Sequence, residues 1–153
     1  MAVVAEWMRS KERLVGSVVV PIRFVNHEDE ILARRGLTPL DDVRSVNLAD
    51  VLVDTGATTL CLPIDLVRRL GVPKAREVVV KTATGEGTLD LYRDVTIELL
   101  GRSHTCECIA LPEGAHALLG CVPMEMMGIE PDLRNRTVRL LPETGPDTYW
   151  LVY

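Results

Sequence analysis

A short apolar run that ends in an acidic residue is the part of the sequence best suited to chemistry. Val51-Leu52-Val53 predicts a brief buried strand, and it leads directly into Asp54-Thr55-Gly56. A carboxylate held at the end of a strand can act as a general acid or base. Gly56 allows a sharp turn and a close approach to a ligand because it has no Cβ. The alternative interpretation is an ordinary Asp-x-Gly turn that closes a strand.

A weak internal repeat surrounds this turn. Residues 61–72 and 121–129 each contain Cys, an apolar residue and Pro before a predicted helix that ends at Gly. Upstream of these segments, Asp54-Thr55-Gly56 corresponds to Leu118-Leu119-Gly120. The domain is therefore predicted to have two similar halves, of which only the first carries a carboxylate at the equivalent position.

The rest of the chain predicts mainly strands, which must position the turn. Residues 18–25 predict a strand at a sheet edge, because Pro21 lacks a backbone donor. Residues 26–46 are polar and predict an insertion loop with room for one short helical turn. A hairpin is predicted over residues 81–90, with its turn at Thr84-Gly85-Glu86-Gly87. The remaining predicted strands have alternating or continuous apolar residues and cover residues 95–99, 106–110 and 137–141.

Length and composition limit the classes of protein to consider. The 153 residues suit one domain, predicted over residues 16–142 with an N-terminal arm (1–15) and a C-terminal tail (143–153). The net charge of -5 and the absence of a basic stripe argue against nucleic acid as a partner. No apolar run approaches the ~20 residues that span a bilayer, so no membrane partner is expected. Without a signal-peptide core, the chain is expected to be cytoplasmic with reduced cysteines.

In this context the Asp-Thr-Gly turn resembles the retropepsin family, the single-domain aspartic proteases of retroviruses and their cellular and prokaryotic relatives. The specific part of the resemblance covers residues 51–63 and 117–120. It implies a mainly β, small closed barrel-like acid protease fold with two short helices. It also implies that Asp54 is catalytic, within an active-site loop that continues through Thr55, Gly56, Ala57 and Thr58. By the same resemblance, Leu118, Leu119 and Gly120 pack beside this loop, and Gly85, Glu86 and Gly87 belong to a mobile flap.

The resemblance implies an aspartic endopeptidase that needs neither a metal nor a cofactor. Peptide hydrolysis by aspartates uses two carboxylates that share a proton, one acting as base on water and the other as acid. With one motif per chain, the second Asp54 must come from a partner, so a homodimer acting on a peptide or protein is expected. Thr55 would tie the two loops together across that dimer. The alternative is a non-catalytic dimeric peptide-binding or scaffolding module, because fold does not dictate function.

Three features depart from the retroviral pattern. Gly120 is followed by Cys121, where retroviral members have Arg. The insertion at residues 26–46 is longer than a minimal member needs, and the termini match nothing in the family. Residues 149–153, Tyr-Trp-Leu-Val-Tyr, are an apolar terminal segment that we expect either to pair across the dimer or to lie in a neighbouring cleft.

The cysteines offer a second candidate chemistry. Cys106 and Cys108, with His104 and His116 nearby, would suit a zinc site by residue type. In a strand, however, Cys-x-Cys places both sulfurs on one face, whereas structural zinc sites use Cys pairs on turns. Small thiols buried in a core strand are the favoured interpretation. No local signature of a nucleophilic cysteine enzyme surrounds any of the thiols.

Overall fold

The computed structural model describes residues 17–152 of the 153-residue chain, and the predicted N-terminal arm lies outside these residues. The structure is mainly β, with 48% strand and 18% helix, as the sequence predicts. The helices are α1 (His27–Arg34), α2 (Ile64–Leu70) and α3 (Cys121–Met127). The strands are β1 (Val19–Asn26), β2 (Ser45–Val53), β3 (Leu60–Pro63), β4 (Lys74–Thr82), β5 (Gly85–Leu99), β6 (Arg102–Leu111), β7 (Leu118–Leu119), β8 (Ile129–Asp132) and β9 (Thr137–Leu140).

The main sheet is closed into a ring by hydrogen bonds. Its strand order is β1-β2-β7-β3-β6-β5-β4, and β1 also pairs with β5. Six strands therefore form the ring, and β4 extends from it as the outer strand of a hairpin with β5. Strands β8 and β9 form a separate two-stranded sheet. This architecture is consistent with the retropepsin fold expected from the sequence. No helix among residues 17–152 is long and apolar enough to cross a membrane.

The first strand corrects one prediction, since only part of β1 lies at a sheet edge. It pairs with β2 on one side, and residues Arg23 to Asn26 pair with β5 on the other. Pro21 lies at an irregularity in the β1–β2 register, in the part of the strand that pairs with β2 alone. The missing N–H of this proline therefore lies beside a bulge, in a part of β1 that has no second neighbour among the described strands, so the edge prediction holds for that part alone.

The predicted insertion loop contains more structure than expected. Helix α1 has two turns and begins at Asn26, whose side chain accepts a hydrogen bond from Asp29 N at 3.0 Å. The Asp29 carboxylate accepts bonds from Arg44 N, Nε and Nη2 at 3.1, 2.7 and 3.0 Å. These bonds, the Arg44 side chain first, hold the pKa of Asp29 below its usual value. The segment is therefore folded back onto the domain, and it contains more helix than the one short turn considered from the sequence.

The two predicted helices are present, with one difference at a boundary. Helix α2 ends at Gly71, which has a left-handed φ of 67°, as the Gly stop signal predicts. Helix α3 starts two residues before Pro123, at Cys121. Cys61 lies in β3 whereas Cys121 lies in a helix, so the internal repeat does not extend to equivalent structures at these cysteines.

The last predicted strand has a different role from the one expected. Strand β9 pairs only with β8, and within it only Val138 is buried. The sequence predicted a core strand here, whereas β9 contributes a single side chain, that of Val138, to the larger core cluster. The larger core cluster lies mainly between β1, β2, β5 and the helices and includes Phe24, Val51, Ile97 and Met127.

A second, smaller cluster of buried side chains lies under the β4–β5 hairpin. It contains Leu52, Cys61, Leu89, Leu111, Ala115 and Leu118, with Val80 and Ile109 packed against it.

One arginine holds the C-terminal tail against the domain. The Arg102 guanidinium, with 13% of its side chain exposed, donates hydrogen bonds to Met127 O at 2.9 Å and Gly128 O at 2.7 Å. It also donates to Leu141 O and lies 5.2 Å from the centre of the Tyr149 ring. The Tyr149 ring covers Gly128 so closely that a Cβ there would lie 2.2 Å from it. Because these bonds satisfy carbonyls at the C-terminus of α3, Arg102 stabilises that helix end and holds the tail against it.

Replacing Arg102 with Met is expected to lower the free energy of unfolding by about 3 kcal/mol. The substitution keeps the apolar stem but leaves three shielded carbonyls without their charged donor. Chemical denaturation followed by circular dichroism measures the change. Arg139→Met is the matched control, because Arg139 is 61% exposed and pairs only with Glu130, which should cost less than ~1 kcal/mol. Equal effects of the two substitutions would contradict a structural role for Arg102.

Candidate active site

Asp54 is placed by two strands that come from opposite halves of the chain. It follows β2, which runs parallel to β7 and pairs Leu52 with Leu118 and Val53 with Leu119. The backbone N–H of Asp54 donates to Leu119 O at 3.0 Å, so the contact between the strands continues into the turn. Asp54 is half-buried. A partly exposed carboxylate on a fixed backbone can contact a ligand without losing its position.

The turn itself orients the carboxylate. Gly56 N donates to Asp54 Oδ1 at 2.9 Å, and Ala57 N donates to Asp54 O at 3.1 Å. A Cβ on Gly56 would lie 3.1 Å from the same Oδ1, which explains why a residue without a side chain occupies this position. Asp54 Oδ2 has no hydrogen-bond partner among the described residues. One carboxylate oxygen is thus held by the loop, and the other is available to a ligand.

The second-half segment packs against this loop through its backbone, as the resemblance implies. A Cβ on Gly120 would lie 2.4 Å from Thr59 O, 2.6 Å from Thr59 N and 2.7 Å from Ala57 O. Beyond it, Cys121 N donates to Ala57 O at 2.9 Å and Val122 N donates to Thr58 O at 3.0 Å. The first N–H groups of α3 are therefore satisfied by carbonyls of the active-site loop. Retroviral members have Arg at the position of Cys121. In this chain, Cys121 contacts the loop through its backbone N–H.

A cleft of about 480 Å³ opens beside Asp54. Its floor and walls come from the active-site loop and from β4, β5 and β6, with an apolar lining that includes Val78, Val80, Leu89, Leu91, Ile109 and Leu111. Two acidic residues line it, Asp54 and Glu107, and the tail residues 143–152 do not line it. An elongated apolar cleft with a few polar groups is typical of a ligand site.

The β4–β5 hairpin covers this cleft, but its turn is not where the glycines predicted it. The strands pair Thr82 with Gly85 and Lys81 with Glu86, so the turn consists of Ala83 and Thr84. Gly85, Glu86 and Gly87 are the first residues of β5. At the tip of this hairpin, Thr82 and Ala83 line the cleft. The glycines mark the hairpin correctly, and their role in a moving flap stays a prediction.

The cysteines have the environment of core thiols. Cys106 and Cys108 lie on the face of β6 that packs against the larger core cluster. Burial raises the pKa of the Cys61 and Cys106 thiols to about 12. It also raises the pKa of the Cys108 thiol well above its usual value. Burial also lowers the pKa of His104. Among residues 17–152, no group of three or more His, Cys, Asp and Glu side chains could hold a metal ion. Thiols that stay protonated are poor nucleophiles and metal ligands, which favours the core interpretation.

Sequence reasoning missed three charged residues that line the cleft, of which Lys81 lies near the hairpin tip. Glu107 lies between the partly buried Cys106 and the buried Cys108, and Arg76 lies near the start of the hairpin. The signal that could have found these last two is the period of two in a strand, because Glu107 alternates with Ile109 and Leu111 on the side away from the core. Arg76 alternates in the same way with Val78 and Val80.

Comparison with known proteins agrees with this geometry. A family model described as gag-polyprotein putative aspartyl protease matches residues 45–125, more than half of the chain. This match includes β2, the Asp-Thr-Gly turn, the cleft strands and the start of α3. A search of the curated proteins finds no match. On the strength of the family match, the chain belongs to the gag-polyprotein aspartyl protease family.

Proposed function

We propose that the protein is an aspartic endopeptidase whose catalytic pair consists of Asp54 from two copies of the chain. The observation that carries this proposal is the placement of Asp54. Its backbone is fixed by Leu119, one of its oxygens is held by Gly56, and it lines an open apolar cleft. Such a cleft can hold an extended peptide with its backbone beside the carboxylate.

The need for a second carboxylate supports a dimer. Two aspartates that share a proton must lie at hydrogen-bond distance from each other. Glu107, the other acid of the cleft, lies on β6, which is separated from β2 by β7 and β3. At ~4.8 Å per strand, that separation is about 14 Å along the sheet. A two-fold axis that passes between two Asp54 side chains supplies the partner more directly.

The chemistry of such a pair needs only proton transfers. The ionised carboxylate accepts a proton from water as the water oxygen attacks the peptide carbonyl carbon. The protonated carboxylate donates its proton to the carbonyl oxygen, which gives a neutral tetrahedral diol. The C–N bond then breaks as one carboxyl group donates its proton to the nitrogen and a diol hydroxyl returns a proton to the other carboxylate, leaving a carboxylic acid and an amine. The cleft excludes bulk water from the bound peptide. It also holds the peptide carbonyl carbon in line with the attacking water.

The open cleft also bears on the alternative of a non-catalytic module. A module of that kind is expected to have its cleft filled by its own side chains or tail. The described tail residues instead pack around Arg102 and Gly128, and the cleft next to Asp54 is accessible. This arrangement supports the enzyme over the module.

Incubation with a diverse peptide library tests the proposal. Purified wild-type protein is expected to cleave a subset of the peptides, and Asp54→Asn is expected to cleave none, because a neutral amide neither activates water nor donates a proton in the same way. Mass spectrometry of the products measures both. Peptides cleaved equally by wild-type and Asp54→Asn protein would rule out Asp54 as the catalytic residue.

The residue that follows the turn should tune the pH profile. Ala57 has no hydroxyl, whereas a serine at this position could donate a hydrogen bond to the neighbouring carboxylate and favour its ionised form. Since the reaction needs one ionised carboxylate, Ala57→Ser is expected to extend the acid side of the pH–kcat/KM profile to lower pH. Initial rates measured from about pH 3 to about pH 8 give the acid limb of this profile, because the reference pKa of a carboxyl group is ~4. An unchanged or alkaline-shifted acid limb would contradict this explanation.

A further inference from the structure

The strand that covers the cleft carries a cation on its inner face. In β4, Arg76 lies directly opposite Leu91 and Val78 lies directly opposite Leu89. Opposite residues in an antiparallel pair project to the same face. Leu89 and Leu91 are 7% and 4% exposed and line the cleft, so the Arg76 side chain is on the cleft side. Lys81 also lines the cleft, near the hairpin tip, although it is an odd number of residues from Arg76 and lies opposite Glu86.

Arg76 is not neutralised by the protein. None of the ion pairs or side-chain hydrogen bonds within residues 17–152 involves its guanidinium. Other cations of the neighbouring strands are paired, such as Lys74 with Asp90 at 3.1 Å and Arg23 with Glu98 at 2.9 Å. An exposed arginine without a partner is ordinary on a convex surface. Here it borders an apolar cleft, where a bound peptide would displace water and strengthen any charge interaction.

The opposite wall of the cleft carries the opposite charge. Glu107 shares its face of β6 with Ile109, and Ile109 lies opposite Leu91. Arg76 on β4, Leu91 on β5 and Ile109 on β6 are therefore cross-strand neighbours in one row across the sheet. Glu107 lies two residues from Ile109 along β6. The two charges are separated by apolar side chains and form no ion pair with each other. The cleft is thus positive at the base of the hairpin and negative beside Thr59, whose Oγ1 donates to Glu107 O at 3.1 Å.

We infer that Arg76 is a specificity-determining residue that selects a carboxylate side chain in the bound peptide. The inference rests on the proposed function, because it names the substrate class of the same cleft. A guanidinium recognises a carboxylate with two parallel hydrogen bonds, which a lysine or a neutral amide does not reproduce. Apolar side chains of the substrate fill the space between the two walls, and an Asp or Glu lies beside Arg76. An acidic side chain beside Glu107 is disfavoured by like charge.

Matched peptides test this inference. In a fluorogenic library with apolar central residues, each flanking position is fixed in turn as Glu, Gln or Lys. Wild-type protein is expected to prefer Glu over Gln by about tenfold in kcat/KM at one position, since charged hydrogen bonds are worth this much. Arg76→Gln should abolish that preference, and Arg76→Glu should reverse it toward Lys. Raising the ionic strength should weaken it in the wild type.

A cation on the same strand provides the control. Lys74 is exposed and pairs with Asp90 outside the cleft, so Lys74→Gln should keep the preference for Glu. A preference that survives Arg76→Gln, or that Lys74→Gln removes equally, would overturn the inference. So would hydrolysis without any charge preference.

Binding separates this inference from the proposed function. The same peptides, labelled with a fluorophore, are titrated with Asp54→Asn protein, and anisotropy reports binding without turnover. If wild-type protein hydrolyses nothing but Asp54→Asn protein binds Glu peptides in a way that depends on Arg76, the endopeptidase proposal fails and the inference stands. If neither hydrolysis nor binding occurs at any position of the library, both are overturned.

Discussion

Co-refolding equal amounts of wild-type and Asp54→Asn chains is expected to leave about a quarter of the wild-type activity per total protein. Random pairing gives about one wild-type dimer in four, and a dimer with a single aspartate lacks half of its catalytic pair. Independent monomeric sites would instead keep about one half. The fold should survive, since the substitution is nearly isosteric and relieves repulsion between two carboxylates. Diluting the wild-type protein should also lower its specific activity as dimers dissociate.

The second acid of the cleft provides the matched control for this experiment. Glu107 is exposed, and its side chain forms no ion pair with another described residue. Glu107→Gln is therefore expected to change which side chains the cleft accepts without abolishing hydrolysis, and mixing it with wild type should give no dominant loss. Residual activity near one half in the Asp54→Asn mixture, together with a complete loss in Glu107→Gln, would mean that the catalytic pair forms within one chain.

Gly120→Ala is expected to lower the free energy of unfolding by about 3 kcal/mol or more and to remove most of the activity. The added Cβ would lie 2.4 to 2.7 Å from three backbone atoms of the active-site loop. Backbone cannot yield as a flexible side chain can, so the loop that holds Asp54 must shift. A displacement of about 1 Å at a catalytic group can cost a hundredfold in rate. Thermal denaturation and kcat/KM measure the two effects.

The conformation of Gly120 isolates the steric cause. Its φ of -85° and ψ of 179° are open to any residue, so the cost of a side chain comes from contact alone. Gly101 is the opposite case, with a φ of 80° and open space around its missing Cβ. Gly101→Ala should cost only about 1 kcal/mol for the left-handed backbone and leave kcat/KM unchanged. Similar losses of activity in both variants would contradict the close packing of α3 on the loop.

The sequence was most informative where local chemistry and local structure coincide. The apolar run before Asp54, the glycine after it and the Pro and Gly at the ends of α2 each specify a conformation over a few residues. The mainly β fold and the position of the turn after β2 follow from them. The resemblance also indicated that Leu118 to Gly120 pack on the loop, and in the structure the Gly120 backbone lies against Ala57 and Thr59.

The errors concern features that tertiary contacts decide. Pro21 is tolerated because β5 pairs only with the other part of β1, which no local pattern reveals. Helix α1 is held by Arg44 and by Asn26, whose Nδ2 donates to Leu70 O at 2.7 Å. The hairpin turn lies at Ala83 and Thr84 because the register is set by Val78 and Val80 facing the cleft. The position of Arg76 and Glu107 on opposite walls of the cleft could not be predicted, because it depends on how the strands pair.

The parallel pairing of β2 with β7 has a consequence for the order of events during synthesis. A nascent chain that has emerged only as far as β6 already contains the Asp-Thr-Gly turn. It lacks Leu119 O, the acceptor for Asp54 N, and the α3 N–H groups that bind the carbonyls of Ala57 and Thr58. Contacts of such long range form late, because loop closure must come first. The Asp54 loop therefore gains these contacts only after β7 and the start of α3 have been synthesised, so a chain that ends before them has an incompletely held loop.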